Sequence, residues 1–287
     1  MEFRTKVETG KAGFQIGACE EILLVGSCFA GEMGQRFRDN GFPATVNPYG
    51  TIYNPASILH TLERLLDEGR QIPRTVFLTL GTNHVYRLKE TGEIIDNCEK
   101  RPAALFQEEL LSVDQCADYL RQAIDLLHSV NPDIHVVLTV SPIRYRKYGY
   151  HESQLSKATL LLAIEQLVAT TPAGSLTDGQ SVALRIPAGS VTYFPAYELI
   201  LDELRDYRFY AADMLHPSAQ AVEYIWERLV DSYFSPAAKD YLAEWRPLKQ
   251  ALAHKPFNPD SSEYRAFHEQ TLSKLAEFKK KYPHLAL

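Results

Sequence analysis

Two adjacent nucleophiles, Ser27 and Cys28, stand where an apolar run ends abruptly. The run is Leu23–Val25, and Gly26 separates it from the two side chains. A buried strand that ends in a tight turn and continues into a helix brings such side chains to the mouth of an α/β fold. They then lie next to a helix N-terminus, where α/β enzymes place their chemistry. The sequence therefore predicts a nucleophile turn at these residues.

The glycine spacing of this turn also invites comparison with phosphate-binding loops. Gly26 and Gly31 have the separation of a P-loop, but Glu32 follows where the phosphate-binding lysine is needed. An acid at that position would repel a phosphate. A phosphatase loop fails as well, because Gly34 stands six residues after Cys28, where an arginine is needed. Acyl chemistry is the better interpretation of the turn.

A parallel sheet is needed to position these side chains, and the pattern of the chain predicts one. Apolar runs alternate with segments of helical period, which is typical of a three-layer α/β/α sandwich with helices on both faces of the sheet. Residues 170–189, rich in small and polar residues, are interpreted as a surface insertion. The predicted strands are 21–25, 75–80, 134–140 and 191–194, the predicted helices are 29–40, 55–66, 114–130, 153–169 and 217–232, and a hairpin is predicted at 85–95.

The last part of the chain, residues 235–287, is predicted to be a helical extension that packs on an α/β domain formed by residues 1–234. Apolar residues recur there at helical spacing and would form one face. We expect this face to dock on the core or to form an oligomer contact. Its residues are Tyr264, Phe267, Leu272, Leu275 and Phe278.

Composition argues against several classes of protein. The 287 residues carry a net charge of −6 without an extended basic stripe, which argues against a nucleic-acid partner. No stretch approaches eighteen apolar residues and no hydrophobic signal region opens the chain, so we expect no membrane span and a cytoplasmic location. The four cysteines are irregularly spaced, as free thiols are, and the nine histidines lack metal-ligand spacing. We therefore expect no metal or other cofactor.

The stretch Gly26-Ser27-Cys28-Phe29-Ala30 spells the motif that names the GSCFA family, and further blocks resemble that family in order over roughly the first 235 residues. The GSCFA family is similar to the SGNH hydrolases, also called GDSL-type, which have a flavodoxin-like fold and act on esters, often acetyl groups on sugars. The resemblance therefore implies that fold and an esterase-like activity. The further blocks are Asn47–Pro55, Leu80–Thr82, Ser141–Arg144, Ser156–Lys157, Tyr193–Glu198 and Asp202–His216.

A nucleophile and a base follow from this resemblance. A gap-free match to the G-D-S motif of SGNH enzymes sets Cys28 in the place of the serine, and a shift of one residue sets Ser27 there. We favour Cys28, because a helix N-terminus beside an imidazole stabilises a thiolate, and Ser27 stays the alternative. Asp213 and His216 have the D-x-x-H spacing with which SGNH enzymes let an aspartate orient a histidine base.

Oxyanion donors are implied in the same way. They are the backbone N–H of the nucleophile, the backbone N–H of Gly50 and the side-chain amide of Asn83, with Asn47 as a second amide candidate. His84, next to Asn83, is either a residue of the pocket wall or a hydrogen-bonded structural side chain. Arg144 follows a predicted strand at its C-terminal end, where it is either a solvated loop residue or a contact for a sugar or an anionic group.

The sequence thus predicts a hydrolase or acyltransferase that forms a covalent acyl-enzyme on an ester, such as an O-acyl or O-acetyl group of a carbohydrate. The alternative is a non-catalytic domain of the same fold that binds a carbohydrate or metabolite. An enzyme should bring Cys28 Sγ or Ser27 Oγ within hydrogen-bond reach of His216. A core-facing Cys28 beneath a Ser27 that caps the helix would favour the binding domain.

Overall fold

A five-stranded parallel sheet is the centre of the structure, a computed structural model that describes residues 4–10, 12–96, 98, 101–169 and 189–287. The predicted surface insertion lies outside the described residues, apart from Gly189. The strands of the described residues are β1 (Ile22–Gly26), β2 (Ala44–Val46), β3 (Thr75–Leu80), β4 (His84–Leu88), β5 (Ile94–Ile95), β6 (Phe106–Leu110), β7 (His135–Val140) and β8 (Val191–Tyr193).

The order of strands in the central sheet is β2-β1-β3-β7-β8, and every neighbouring pair is parallel. β1 and β3 are buried along their whole length, because each has a neighbour on both sides and helices over both faces. Strands in that situation read as continuous apolar runs, which is why the sequence reveals them. The predicted sheet is confirmed, with strand bounds that differ by no more than one residue.

Helices follow the strands as predicted. The first residue of α1, Cys28, comes directly after the N-cap Ser27, so no other element separates β1 from α1. Pro217 does not take the predicted first position of its helix. Ser218 is the N-cap there, because its hydroxyl can accept the N–H of Ala221, at 3.3 Å, that the helix leaves without a partner. The helices are α1 (Cys28–Asp39), α2 (Pro55–Asp67), α3 (Val113–Val130), α4 (Tyr150–Ala169), α5 (Ala196–Glu198, continued by a π-helical segment Leu199–Leu204), α6 (Ala219–Tyr233), α7 (Pro236–Leu252) and α8 (Ser262–Lys281).

Alternate residues of the buried strands pack on opposite faces of the sheet. Leu23 and Val25 of β1 pack with α2, α3 and α4, whereas Ile22 and Leu24 pack with α1 and α6. The period of two along a strand produces this division. The result is the predicted three-layer sandwich, with an apolar cluster on each side of the sheet. Among the described residues, no helix has the length and apolarity needed to span a membrane.

The predicted hairpin is a part of a three-stranded antiparallel sheet with the order β5-β4-β6. The sequence does not reveal β6, because only Phe106 of its five residues is buried and the remainder are exposed or half-buried. This small sheet follows β3 directly, so it stands at the carboxyl edge of the central sheet.

The C-terminal helices pack on the cluster that also holds α1 and α6. Tyr241 donates its hydroxyl to the Asn40 carbonyl at 2.8 Å, and Trp245 donates its indole N–H to the Asp39 carbonyl at 3.1 Å. These bonds satisfy carbonyls at the end of α1. The predicted apolar face of the last helix is only partly correct. Phe278 is buried, but Leu272 is 46% exposed because the buried face of α8 runs through Thr271 and Phe278.

Candidate active site

The turn after β1 requires a glycine. Gly26 has a φ of +141°, and a Cβ there would lie 2.1 Å from the backbone oxygen of Thr79 on β3. No side chain fits that distance, and the conformation itself is one that residues with a side chain rarely adopt. The close approach of the two strands fixes the direction in which the next two residues leave the sheet.

The side chain of Ser27 caps the N-terminus of α1. It is the N-cap, and its Oγ accepts the N–H of Phe29 at 3.3 Å. Its own N–H donates to the backbone oxygen and to the hydroxyl of Thr79, both at 3.0 Å. With 1% of the residue exposed, Ser27 has little access to a substrate.

Cys28 is the first residue of α1 and is only half-buried. Its Sγ lies 3.5 Å from the hydroxyl of Tyr53. As a first-turn residue it also has a backbone N–H that no helical carbonyl can accept. Both features suit a reactive group at a helix N-terminus.

Tyr53 is a residue of this site that sequence reasoning missed. Its carbonyl accepts the N–H groups of Gly81 and Thr82, at 2.8 and 2.9 Å, so the loop after β3 holds it in place. Burial, and then the contact with Cys28, raises the pKa of Tyr53. The phenol therefore keeps its proton and can donate it to the sulfur. Its place in a block of the family resemblance was the only signal in the sequence.

Asp213 and His216 form the predicted pair. His216 Nδ1 lies 2.6 Å from Asp213 Oδ2, while Asp213 Oδ1 accepts the backbone N–H groups of Leu215 and His216 at 2.9 and 3.0 Å. These hydrogen bonds, the two backbone ones first, lower the pKa of Asp213. The carboxylate thus stays ionised and fixes the Nδ1–H tautomer, which leaves Nε2 free as a proton acceptor.

The loop of His216 is anchored to the same sheet edge as the nucleophile turn. Arg144, just after β7, donates its backbone N–H to the Leu215 carbonyl at 3.0 Å. Its neighbour Ile143 lines a narrow cavity together with Ser27. In the described part of the chain, however, no hydrogen bond joins His216 to Cys28 or to Ser27. The structure therefore brings the predicted nucleophile and base to one edge of the central sheet, but they form no hydrogen bond with each other among the described residues.

Most of the predicted oxyanion donors form hydrogen bonds with other groups of the protein. The N–H of Gly50 donates to the Asn47 carbonyl at 2.9 Å, inside a turn. Asn47 itself accepts the N–H of Gly26 on its Oδ1 at 2.8 Å and so braces the nucleophile turn. The Asn83 amide is buried and donates to the Leu111 carbonyl at 2.7 Å, tying the start of β4 to the residue after β6. Of the predicted donors, the N–H of Cys28 and the side-chain N–H groups of Asn47 have no acceptor among the described residues.

His84 is a buried residue of the small sheet. Its Nδ1 lies 2.8 Å from Glu108 Oε1, and its ring stacks on Tyr148 with 3.7 Å between the ring centres. Desolvation lowers the pKa of His84 against the opposing effect of Glu108. His84 lines a pocket of about 370 Å³ that is separate from the cavity under the nucleophile turn.

Lys157 is a second residue that sequence reasoning missed. Its side chain rises from α4 to the sheet edge, where Nζ donates to the carbonyls of Gly81 and Ser141 at 2.7 and 2.8 Å. It is 2% exposed, and desolvation lowers its pKa to about 7. Together with Ser27 and Tyr53 it lines the narrow cavity under the nucleophile turn.

Comparison with family models shows the family to which the chain belongs. The model described as "GSCFA family" matches residues 21–74 and 71–229, which is most of the protein. The chain belongs to the GSCFA family. A second model, "GSCFA domain protein, C-terminal domain", matches residues 245–287, which include the second half of α7 and all of α8. No curated protein has significant sequence similarity to this GSCFA protein.

Solved structures that resemble the GSCFA protein are distant. One is a candidate platelet activating factor from Streptococcus pneumonia, with 16% identity, a TM-score of 0.44 and coverage of 79% of this chain and 85% of that chain. A mutant acetyl esterase with acetate ion has 11% identity, a TM-score of 0.40 and coverage of 82% and 100%. A carbohydrate esterase family 3 protein from Talaromyces cellulolyticus has 10% identity, a TM-score of 0.36 and coverage of 73% and 94%. These values carry no inference about activity, which rests on the geometry of the site.

Proposed function

We propose that this GSCFA protein is an SGNH-like hydrolase or acyltransferase with Cys28 as its nucleophile, acting on an ester such as an O-acyl group of a carbohydrate. The observation that carries the proposal is the Asp213–His216 pair. Its carboxylate is fixed by two backbone N–H groups, and its loop is bonded to the sheet edge at which Cys28 begins α1. That arrangement orients an imidazole for proton transfer.

The reaction has two halves. The Cys28 thiol gives its proton to His216 Nε2 as the sulfur attacks the ester carbonyl. Collapse of the tetrahedral intermediate breaks the carbon–oxygen bond, and His216 returns the proton to the leaving oxygen. Water, or an acceptor hydroxyl, then gives a proton to His216 and attacks the thioester, which releases the acid or a new ester and restores the thiol.

Two groups next to the Cys28 sulfur are available to stabilise the oxyanion. The N–H of Cys28 has no helical acceptor, and the Tyr53 hydroxyl lies 3.5 Å from the sulfur and keeps its proton. Side-chain hydroxyls of tyrosine are among the donors that serve this role in enzymes. In this proposal Tyr53 supplies the donor that Asn83, bonded to Leu111, does not.

Cys28 is preferred to Ser27 because of what each atom already does. The Ser27 hydroxyl is buried and accepts the N–H of Phe29, and a base that drew its proton away would have to reach a residue with 1% exposure. Cys28 is half-buried, and its sulfur has a single hydrogen-bond partner among the described residues.

A second candidate is a non-catalytic domain that binds a carbohydrate or metabolite. Two observations favour it: His216 has no hydrogen bond with either nucleophile among the described residues, and Ser27 caps α1. In that case the turn only shapes a pocket.

A burst assay with p-nitrophenyl acetate separates the two candidates. We expect one equivalent of p-nitrophenol to be released rapidly per folded protein, and mass spectrometry to find an acetyl group on the peptide that contains Cys28. In Cys28→Ala the burst and the adduct disappear. In Ser27→Ala both persist, while the free energy of unfolding falls by about 1 kcal/mol through loss of the N-cap.

The contrary results are equally clear. A folded wild-type protein that gives no burst with acyl chains from acetyl to octanoyl would favour the binding domain. A burst that survives in Cys28→Ala but not in Ser27→Ala would move the nucleophile to the serine.

A further inference from the structure

A pocket of about 260 Å³ lies beside the loop that carries His216, because its lining residue Arg144 is bonded to that loop. Its wall comes from the loop after β7, from α4, from the π-helical segment after α5 and from the residues that precede the Asp213–His216 loop. Among the lining residues are Arg144, Gln154, Arg205, Tyr207 and Tyr210. The volume is large enough for one sugar ring and small for a drug-sized ligand.

Arg144 brings to this pocket a guanidinium that forms no ion pair with the described residues. One guanidinium N–H donates to the Met214 carbonyl at 3.1 Å, and no carboxylate of the described residues pairs with the group. The other arginines nearby are paired: Arg205 lies 3.5 Å from Asp202, and Arg208 lies 3.8 Å from Asp206, the carboxylate that also lines the pocket. Arg144 therefore has free donors in the fork geometry that matches a carboxylate.

Aromatic rings surround the same guanidinium. Its central carbon lies 4.3, 5.4 and 5.9 Å from the ring centres of Tyr150, Tyr210 and Tyr207. These contacts hold the arginine in place without neutralising its charge. Tyr207 and Tyr150 are 69% and 44% exposed, so they offer apolar ring surface beside a cation. A pyranose ring has an apolar C–H face that packs on such a surface.

The pocket and the candidate base share one piece of backbone. Arg144 is bonded to the carbonyls of Met214 and Leu215, and Tyr210 pairs with Pro217, the residue after His216. A ring held by Arg144 and Tyr207 would lie next to the loop that carries the base. An acyl group on that ring would then be close to the sheet edge of Cys28.

We propose that this pocket binds an acidic sugar, a pyranose ring that carries a carboxylate, with Arg144 on the carboxylate and Tyr207 against the ring. The inference rests on the proposed function in one respect: it names O-acylated acidic sugars as the substrates of that site. Binding itself does not require turnover, so the two proposals can fail separately.

The test is a binding measurement on the Cys28→Ala protein by saturation-transfer NMR and calorimetry. The probes are methyl β-D-glucuronoside and its neutral counterpart, methyl β-D-glucoside. We expect the glucuronoside to bind at least ten-fold more tightly. Arg144→Gln should remove that preference, and Tyr207→Ala, at an exposed position, should weaken both ligands. Arg265→Gln removes the same charge from α8, outside the pocket wall, and should leave both affinities unchanged.

Equal affinity for the two glycosides, or no binding of either, overturns the inference. So does an unchanged preference in Arg144→Gln together with unchanged affinities in Tyr207→Ala. A preference for the glucuronoside in a protein that shows no burst supports the pocket and overturns the proposed function. A burst without any preference leaves the proposed function and overturns the pocket.

Discussion

Two histidine–carboxylate pairs of similar length stand at the carboxyl edge of the sheet. His216 Nδ1 lies 2.6 Å from Asp213, and His84 Nδ1 lies 2.8 Å from Glu108. The difference is in the second ring nitrogen. The His216 side chain is 41% exposed, whereas Nε2 of His84 is buried and has no partner among the described residues. A histidine needs both a partner for one nitrogen and access for the other to move a proton, and of these two only His216 combines them.

The carboxylates of the pairs differ too. Asp213 accepts two backbone N–H groups, and hydrogen bonding lowers its pKa, so it stays ionised and holds its histidine in one orientation. Glu108 extends from the edge strand β6, and within the described part of the chain its carboxylate accepts no such backbone bonds. His84 is held instead by the stacked ring of Tyr148. In the first pair a fixed carboxylate orients the histidine, whereas in the second pair the packing of Tyr148 holds the histidine.

Replacing each histidine in turn tests the difference between the two pairs most directly, and the loss of His216 should have the largest effect. His216→Ala should slow acylation by p-nitrophenyl acetate by roughly 10³-fold, because the proposed general base is lost. His84→Asn should leave the burst rate within about two-fold, since no proton transfer passes through it. Stopped-flow measurement of p-nitrophenol release compares them. Equal losses in the two variants would mean that the buried pair takes part in the reaction.

Replacing each carboxylate in turn tests the same difference between the two histidine–carboxylate pairs. Asp213→Asn should slow acylation by roughly 10²-fold, because the amide cannot fix the Nδ1–H tautomer, and a thiol depends less on its base than a hydroxyl does. Glu108→Gln is the matched control and should keep the wild-type rate. A rate in Asp213→Asn equal to that of wild type would remove the aspartate from the machinery.

The smallest effect is on stability in acid. Because desolvation lowers the pKa of His84 in the folded protein, the unfolded chain takes up a proton first as the pH falls below about 6.5. Wild type should therefore lose stability between about pH 7.5 and about pH 5 relative to His84→Asn, which lacks this group. Urea unfolding at the two pH values gives the comparison. A stability gap that stays constant would show that His84 does not remain neutral.

The sequence predicts the fold well where burial is continuous. The runs at β1, β3 and β7 identify the sheet because both of their faces are covered, whereas the exposed strand β6 leaves no comparable trace. The positions of Asp213 and His216 follow from short-range spacing, since a turn that separates them by three positions suffices to join them.

Long-range partners are what the sequence cannot supply. Tyr53 reaches Cys28 across 25 positions, and Lys157 reaches Gly81 across 76. Asn83 looked like an oxyanion donor because it follows a strand, but a carbonyl 28 positions away accepts its amide. Which of several nearby polar atoms pairs with which depends on packing that local pattern does not encode.

Lys157 has a consequence for the folding equilibrium itself. In the unfolded chain its ammonium titrates near 10.5, and in the folded protein, where desolvation lowers its pKa to about 7, it is mostly neutral above that value. Between these values the unfolded chain holds the extra proton, so folding releases about one proton from this side chain and stability rises with pH through the window. The heat of folding near about pH 8.5 should therefore depend on the ionisation enthalpy of the buffer that receives the proton.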